Sequence, residues 1–173
     1  LIDPLAGGDL SPLGPVLANP AIRKIFHAAD YDTRCLHRDY GFTIRGLFDT
    51  MISCQFLGEE KFGLADVLGK YYGVTLDKQY QRADWSQRPL SPEMIAYAAA
   101  DTTHLLPLAL LLEERLREKG RLDWVAEEFE LLEQGQFTQH SGPLFLRFKG
   151  AAALERRQLA ILEGLLQWRN REA

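Results

Sequence analysis

Tyr97 and Asp101 stand in an i, i+4 relation within Ser91-Pro92-Glu93-Met94-Ile95-Ala96-Tyr97-Ala98-Ala99-Ala100-Asp101. This stretch has the signature of a helix start. Ser91 is a good N-cap, Pro92 suits the first helical position, and Glu93 adds a carboxylate to the first turn. Residues four apart share a helix face, so a phenol and a carboxylate are presented together. The three alanines between them leave room for a ligand to approach. A carboxylate holds a hard cation, and a tyrosine hydroxyl orients a water beside it. The pairing suits metal-assisted hydrolysis.

Asp32 is the second candidate ligand, in His27-Ala28-Ala29-Asp30-Tyr31-Asp32. It follows a candidate strand over residues 23–28, and ligands gather at strand ends in α/β folds. Asp30 is its rival: a helix that begins near Asp30 makes that residue the N-cap and puts Asp32 inside the first turn. Taken singly, either aspartate also reads as a cap, Tyr97 as a core tyrosine and Asp101 as a solvated helix charge. The case rests on their joint occurrence.

The elements that must position these residues alternate. Residues 1–5 look like the end of a strand, and residues 13–18 a short helix stopped by Pro20. A helix from Asp32 to Tyr40, with Cys35, Leu36 and Tyr40 inward, closes at Gly41. Leu47-Phe48 reads as a short strand, and Asp49 or Thr50 caps a helix through Phe56. A further amphipathic helix spans residues 64–72. Residues 74–90 show no period but mix Tyr80 and Trp85 with basic residues. The Tyr97 helix continues toward Gly120, with Pro107 marking a kink or a break. Another helix covers residues 123–133. A polar linker spans residues 134–143, and a basic amphipathic helix covers residues 154–171. The alternation through residue 133 argues for an α/β domain over residues 1–133, and residues 144–173 for a small separate helical module.

The chain has 173 residues, with 20 Lys and Arg, 24 Asp and Glu, and a net charge of -4. That balance argues against coating nucleic acid non-specifically but leaves room for a local basic groove. At 46% hydrophobic and 25% charged, the composition is globular. No apolar run approaches the length of a membrane span in this reading, so no membrane partner is expected. Cys35 and Cys54 lack CxxC spacing, which fits reduced thiols and a cytoplasmic protein.

Four stretches in order resemble the ribonuclease D family, the tyrosine-bearing DEDD (DEDDy) branch of 3′→5′ exoribonucleases. His27-Ala28-Ala29-Asp30-Tyr31-Asp32 resembles the family's second motif, in a register that puts the metal-binding aspartate at Asp32. Leu47-Phe48-Asp49-Thr50 resembles the strand and helix start that follow. Leu76-Asp77-Lys78, with Gln81, Asp84-Trp85 and Arg88-Pro89-Leu90, resembles the approach to the third motif. Tyr97-Ala98-Ala99-Ala100-Asp101 matches that motif, Y-x3-D. The resemblance covers residues 1–133 and implies a ribonuclease H-like DEDD exonuclease fold. Phe148-Lys149-Gly150, Arg156-Arg157-Gln158-Leu159 and Trp168-Arg169 resemble the opening of the helical HRDC-type domain shared by helicases and ribonuclease D.

The family's first motif, D-x-E, occurs nowhere in the 173 residues. In the family it precedes the segment that Leu1-Ile2-Asp3-Pro4 resembles, so the expectation is a fold whose N-terminal part is incomplete here. Asp3 and Asp9 are out of place to substitute. The resemblance implies two divalent cations, Mg²⁺ or Mn²⁺, held in part by Asp32 and Asp101, with Tyr97 positioning the attacking water. It also places Lys78 near the phosphate or the metal-bound water. The 173 residues alone are expected to be nearly inactive.

His27 and His104 fit packing or supporting roles, since the mechanism uses tyrosine where a sister branch uses histidine. Lys70, Lys78, Arg82 and Arg88 outnumber Asp77 and Asp84 around Tyr80 and Trp85, as a single-strand-binding surface requires. Taken singly, Trp85 fits a core residue better, and Arg88 a structural ion-pair donor better than a phosphate clamp. The implied substrates are single-stranded RNA 3′ ends, such as those of tRNA precursors. The rival readings are a catalytically inactive RNA-binding remnant and a DNA exonuclease of the same fold.

Overall fold

Pro12 to Asn19 turn once as α1 (Leu13–Ala18), and the chain then enters β1 (Lys24–Phe26). A second strand, β2 (Leu47–Asp49), pairs with it in parallel, Lys24 opposite Leu47 and Phe26 opposite Asp49. Parallel neighbours need a crossover, and α2 (Ala29–Tyr40) supplies it. This computed structural model describes residues 1–77, 79–135 and 142–172. They fall into two compact units, Leu1–Phe137 and Thr138–Ala173.

Lys24 is buried, and its ammonium donates to the carbonyls of Asn19 at 2.7 Å and Ile22 at 2.6 Å. The lysine thereby ties the end of α1 to the start of β1. Gly46 precedes β2 at φ +70°. A Cβ there would meet the Pro20 and Ile22 carbonyl oxygens at 2.8 and 2.9 Å, so only glycine fits.

Five more helices complete the first unit: α3 (Thr50–Leu57), α4 (Leu64–Tyr72), α5 (Pro92–Thr103), α6 (Leu105–Glu118) and α7 (Leu122–Glu133). Leu108, Leu112 and Leu116 recur at i, i+4 and i+8 along α6 and are fully buried. They join Val67 and Leu68 of α4, Cys54 and Leu57 of α3, Phe48 of β2, and Val125 and Phe129 of α7 in one core.

Several sequence expectations need correcting. Residues 1–3 form no strand. Asp3 instead caps the 3-10 turn Pro4–Ala6, its carboxylate accepting from Leu5 N at 3.1 Å. The inward face of α2 is Ala29 and Thr33; Cys35 and Leu36 are half-buried, and Tyr40 is exposed and stacks on Phe42. The helix break comes at His104, not at Pro107. Pro107 causes it nonetheless, since its ring excludes the carbonyl of Thr103, four residues back, from a continuing helix. The sheet among the described residues is only two strands, so the unit is richer in helix than the α/β alternation suggested.

The stretch Pro92–Glu118 also contains an 18-residue window of mean hydropathy 1.4, long and apolar enough to cross a membrane by composition. The expectation that no run approaches that length is therefore wrong. In this fold the break at His104 divides the stretch, and Leu108, Ala109, Leu112 and Leu116 turn into the core.

The second unit holds the 3-10 turns Leu144–Arg147 and Ala151–Ala153 and the helix α8 (Arg156–Glu172). Glu163 accepts from Phe145 N at 3.0 Å. On α8, Leu166 is buried and Leu159 and Leu162 are half-buried. The polar linker lies mostly outside the described residues.

Candidate active site

Asp49 organises the cleft from beneath. It ends β2 and is 1% exposed. Its carboxylate accepts from Met51 N at 2.7 Å and Ile52 N at 3.2 Å, which caps α3. The same carboxylate accepts from Ala29 N at 2.7 Å and Ala28 N at 3.2 Å, the first donors of α2. One buried acid thus caps two helices, and α2 is the one that carries Asp32. Ala28 at the junction adopts φ 65°, the left-handed region that L residues avoid. The Asp49 contacts hold it there.

Asp32 leaves the first turn of α2, and Tyr97 and Asp101 leave one face of α5. All three line a single cleft of about 950 Å³, with the expected Gln81 and Trp85 on its wall. Segments 65 residues apart in sequence therefore converge. Both aspartates are exposed; Asp30 pairs with Arg34 at 2.5 Å, while Asp32 lines the cleft.

The electrostatics of the pair are unfavourable as they stand. Loss of hydration pushes the Asp32 carboxyl above the ordinary carboxylate range, and the neighbouring Asp49 charge adds to the rise. Loss of hydration also raises Asp101. No hydrogen bond or ion pair reaches either carboxylate among the described residues. Tyr97 is raised as well, by loss of hydration and then by the Asp101 and Asp77 charges, so its hydroxyl stays protonated at neutral pH. The Tyr97 ring is braced by Tyr80, edge-on at 5.9 Å, and by Trp85 at 6.0 Å.

His27 lines the cleft beside Asp32. The Thr50 hydroxyl donates to the Phe26 carbonyl at 2.9 Å and so accepts from His27 Nδ1, also at 2.9 Å. Burial lowers the imidazole pKa, which keeps it neutral. His104 sits outside the cleft and stacks on Tyr72 at 6.1 Å. Lys78 lies outside the described residues.

Two of the four cations expected on the basic surface are held in ion pairs. Lys70 pairs with Glu59, and Arg88 pairs with Asp3 at 2.6 Å. Arg88 also donates to the Trp85 carbonyl at 2.7 Å, and the Trp85 indole donates to the Tyr80 carbonyl at 3.1 Å. Arg88 therefore anchors the loop, and Trp85 is a half-buried wall rather than a core residue. Asp66 and Asp77 add two more carboxylates to the lining, and no described lining residue is lysine or arginine. Sequence spacing missed Asp66, which belongs to no motif, and gave Asp77 only as part of the stretch leading to the third motif, not as a cleft carboxylate. Their signal was position alone: a first helical turn for Asp66, and the loop before α5 for Asp77.

Such a lining repels a phosphodiester unless a cation stands between them. Among the described residues no three His, Cys, Asp or Glu side chains cluster closely enough to enclose a metal. Asp32 and Asp101 fit a small hard cation that takes one or two protein carboxylates and completes its shell with water and phosphate oxygens.

A family model described as 3′-5′ exonuclease matches residues 1–117. The ribonuclease D of Gluconacetobacter diazotrophicus is 39% identical over 176 residues, which take in 100% of this chain and 44% of that protein. Escherichia coli RNase D, an exoribonuclease involved in structured RNA processing, matches with a TM-score of 0.81 and 36% identity, over 99% of this chain and 46% of that one. Brucella melitensis NrnC with bound Mg²⁺ matches with a TM-score of 0.65 and 27% identity, over 70% of this chain and 60% of that one. The chain spans less than half the length of these ribonucleases D. The fold implied by the motifs is the fold of these neighbours.

Proposed function

The chain belongs to the 3′-5′ exonuclease family, and from that premise we propose that it carries catalytic residues of a metal-dependent 3′→5′ exoribonuclease. The supporting observation is the convergence of Asp32, Asp101 and Tyr97 in one cleft with both carboxylates unpartnered. Asp32 and Asp101 hold a divalent cation, Mg²⁺ or Mn²⁺. When bound, such an ion neutralises the phosphate and acidifies a coordinated water. The protonated Tyr97 hydroxyl accepts from and orients the attacking water, with Tyr80 and Trp85 holding its ring in place. Lys78 adds a point charge for phosphate.

The substrates are single-stranded RNA 3′ ends, among them those of tRNA precursors. Residues 144–173 open an HRDC-type module. The exposed arginines of α8 (Arg156, Arg157, Arg169 and Arg171) give that module a surface for RNA phosphates. A second reading, RNA binding without cleavage, is favoured by one observation. The described residues supply two facing carboxylates and no cluster of three.

The deciding experiment is a time course on 5′-labelled and 3′-labelled RNA with Mg²⁺ or Mn²⁺. For a protein that carries these residues behind a D-x-E motif, stepwise mononucleotide release from the 3′ end, lost in Asp32→Asn, Asp101→Asn and Tyr97→Phe, is the expected result, while the 173 residues alone should release almost none. RNA binding with no release in any divalent ion supports the second reading. Equal turnover of matched DNA would remove the RNA preference, which depends on 2′-hydroxyl contacts.

A further inference from the structure

A second cavity of about 370 Å³ opens beside the cleft, and Tyr97 lines both. Tyr80 forms one side of it. Ala96 and Ala100, four residues apart on α5, form a flat floor without side-chain bulk. Asp77 and Gln79 stand at its edge and are exposed. One Asp77 oxygen is occupied by Gln79 N at 2.8 Å, and the other has no donor among the described residues. The Tyr80 and Tyr97 rings touch at 5.9 Å, so a flat ligand stacks on their outer surfaces and does not pass between them.

From this arrangement we propose that the cavity is a nucleobase subsite for the RNA strand whose phosphate occupies the neighbouring cleft. The inference rests on the exoribonuclease reading. A base is flat, mostly apolar on its faces and polar at its rim, which matches aromatic rings, an alanine floor and polar groups at the edge. The described lining carries Asp77, Glu93 and Asp101, and a neutral ring is a group that these carboxylates do not repel.

The test uses the purified protein and a short RNA carrying 5′-fluorescein and a 3′-terminal 2-aminopurine. That fluorescent adenine analogue dims when it stacks, and a terminal phosphorothioate linkage slows cleavage. Anisotropy of the 5′ dye reports RNA binding, and 2-aminopurine emission reports stacking. The expected result is strong quenching on binding, largely abolished in Tyr80→Ala with about tenfold weaker binding, and retained in Tyr80→Phe. Ala96→Leu fills the floor from an exposed helix position and leaves residue 80 a tyrosine. It should give the same loss of quenching at unchanged melting temperature. RNA that binds without quenching, or quenching that survives both Tyr80→Ala and Ala96→Leu, overturns the subsite and leaves the exoribonuclease reading standing. No RNA binding at all overturns both.

Discussion

Replacing Asp49 by alanine removes a carboxylate that serves two helices at once. Four backbone N–H groups lose their acceptor: Ala28, Ala29, Met51 and Ile52. Loss of an N-cap destabilises by about 1 kcal/mol, and here α2 and α3 each lose one. The Ala29 N–H is buried, and leaving it unpaired adds roughly 1 kcal/mol or more. The sum is about 3 kcal/mol, or a melting temperature lower by about 10 °C for a chain of this size. Asp49→Asn keeps one acceptor oxygen and should lose about half as much. Urea denaturation followed by far-ultraviolet circular dichroism measures both variants. Because α2 carries Asp32, divalent-ion affinity should fall in Asp49→Ala even at temperatures where it remains folded. A loss below about 1 kcal/mol, or an unchanged ion affinity, would refute the assignment of Asp49 as the shared cap.

Ala28 sits at φ 65°, so Ala28→Gly should stabilise the fold by roughly 1 kcal/mol, read by the same denaturation. Asp32 and Asp101 have folded-state pKa values raised above the ordinary 3.8. Protonation therefore favours the folded state, and their contribution is fully present below 3.8 and fades as pH rises through the raised values. Asp32→Asn should accordingly melt higher than the parent at pH 7 without metal, with the difference gone near about pH 3. The same variant should lose the Mg²⁺-induced rise in melting temperature, as should Asp101→Asn. Glu59 and Glu113 have the opposite sign. Lys70 with Tyr71, and Arg23, hold their carboxyls below the ordinary 4.5, so their stabilisation is present above it and lost as pH falls. Leu112→Ala in the centre of α6 should destabilise by about 2–5 kcal/mol in denaturant, since the side chain is fully buried.

What the sequence disclosed was local or carried by motif. Ser91 before Pro92, the glycines after α2 and α4, and the four-residue step from Tyr97 to Asp101 each have a physical signature within one helix or turn. They placed α2 to within three residues at its start, α4 to the residue, and the Tyr97 face correctly. The convergence of Asp32 with that face required the motif order, because no periodicity links residues 65 positions apart. What stayed hidden was tertiary. Nothing around Asp49 signals that its carboxylate reaches back to Ala28 and Ala29. The ion pairs that occupy Lys70 and Arg88 join residues 11 and 85 positions apart, so counting charges in a window overstated the basic surface. Asp101 and Pro107 interrupt the apolar window in α5 and α6. The structure shows that interruption as a helix break at His104.

The central claim is that the Asp32 and Asp101 carboxylates share a divalent cation beside Tyr97. Anomalous diffraction from crystals soaked in Mn²⁺ tests it most directly. A manganese peak is expected in the cleft within coordination distance of both carboxylates, absent in Asp101→Asn. A peak bound to one of them alone, or a manganese site elsewhere with this cleft empty, would contradict it.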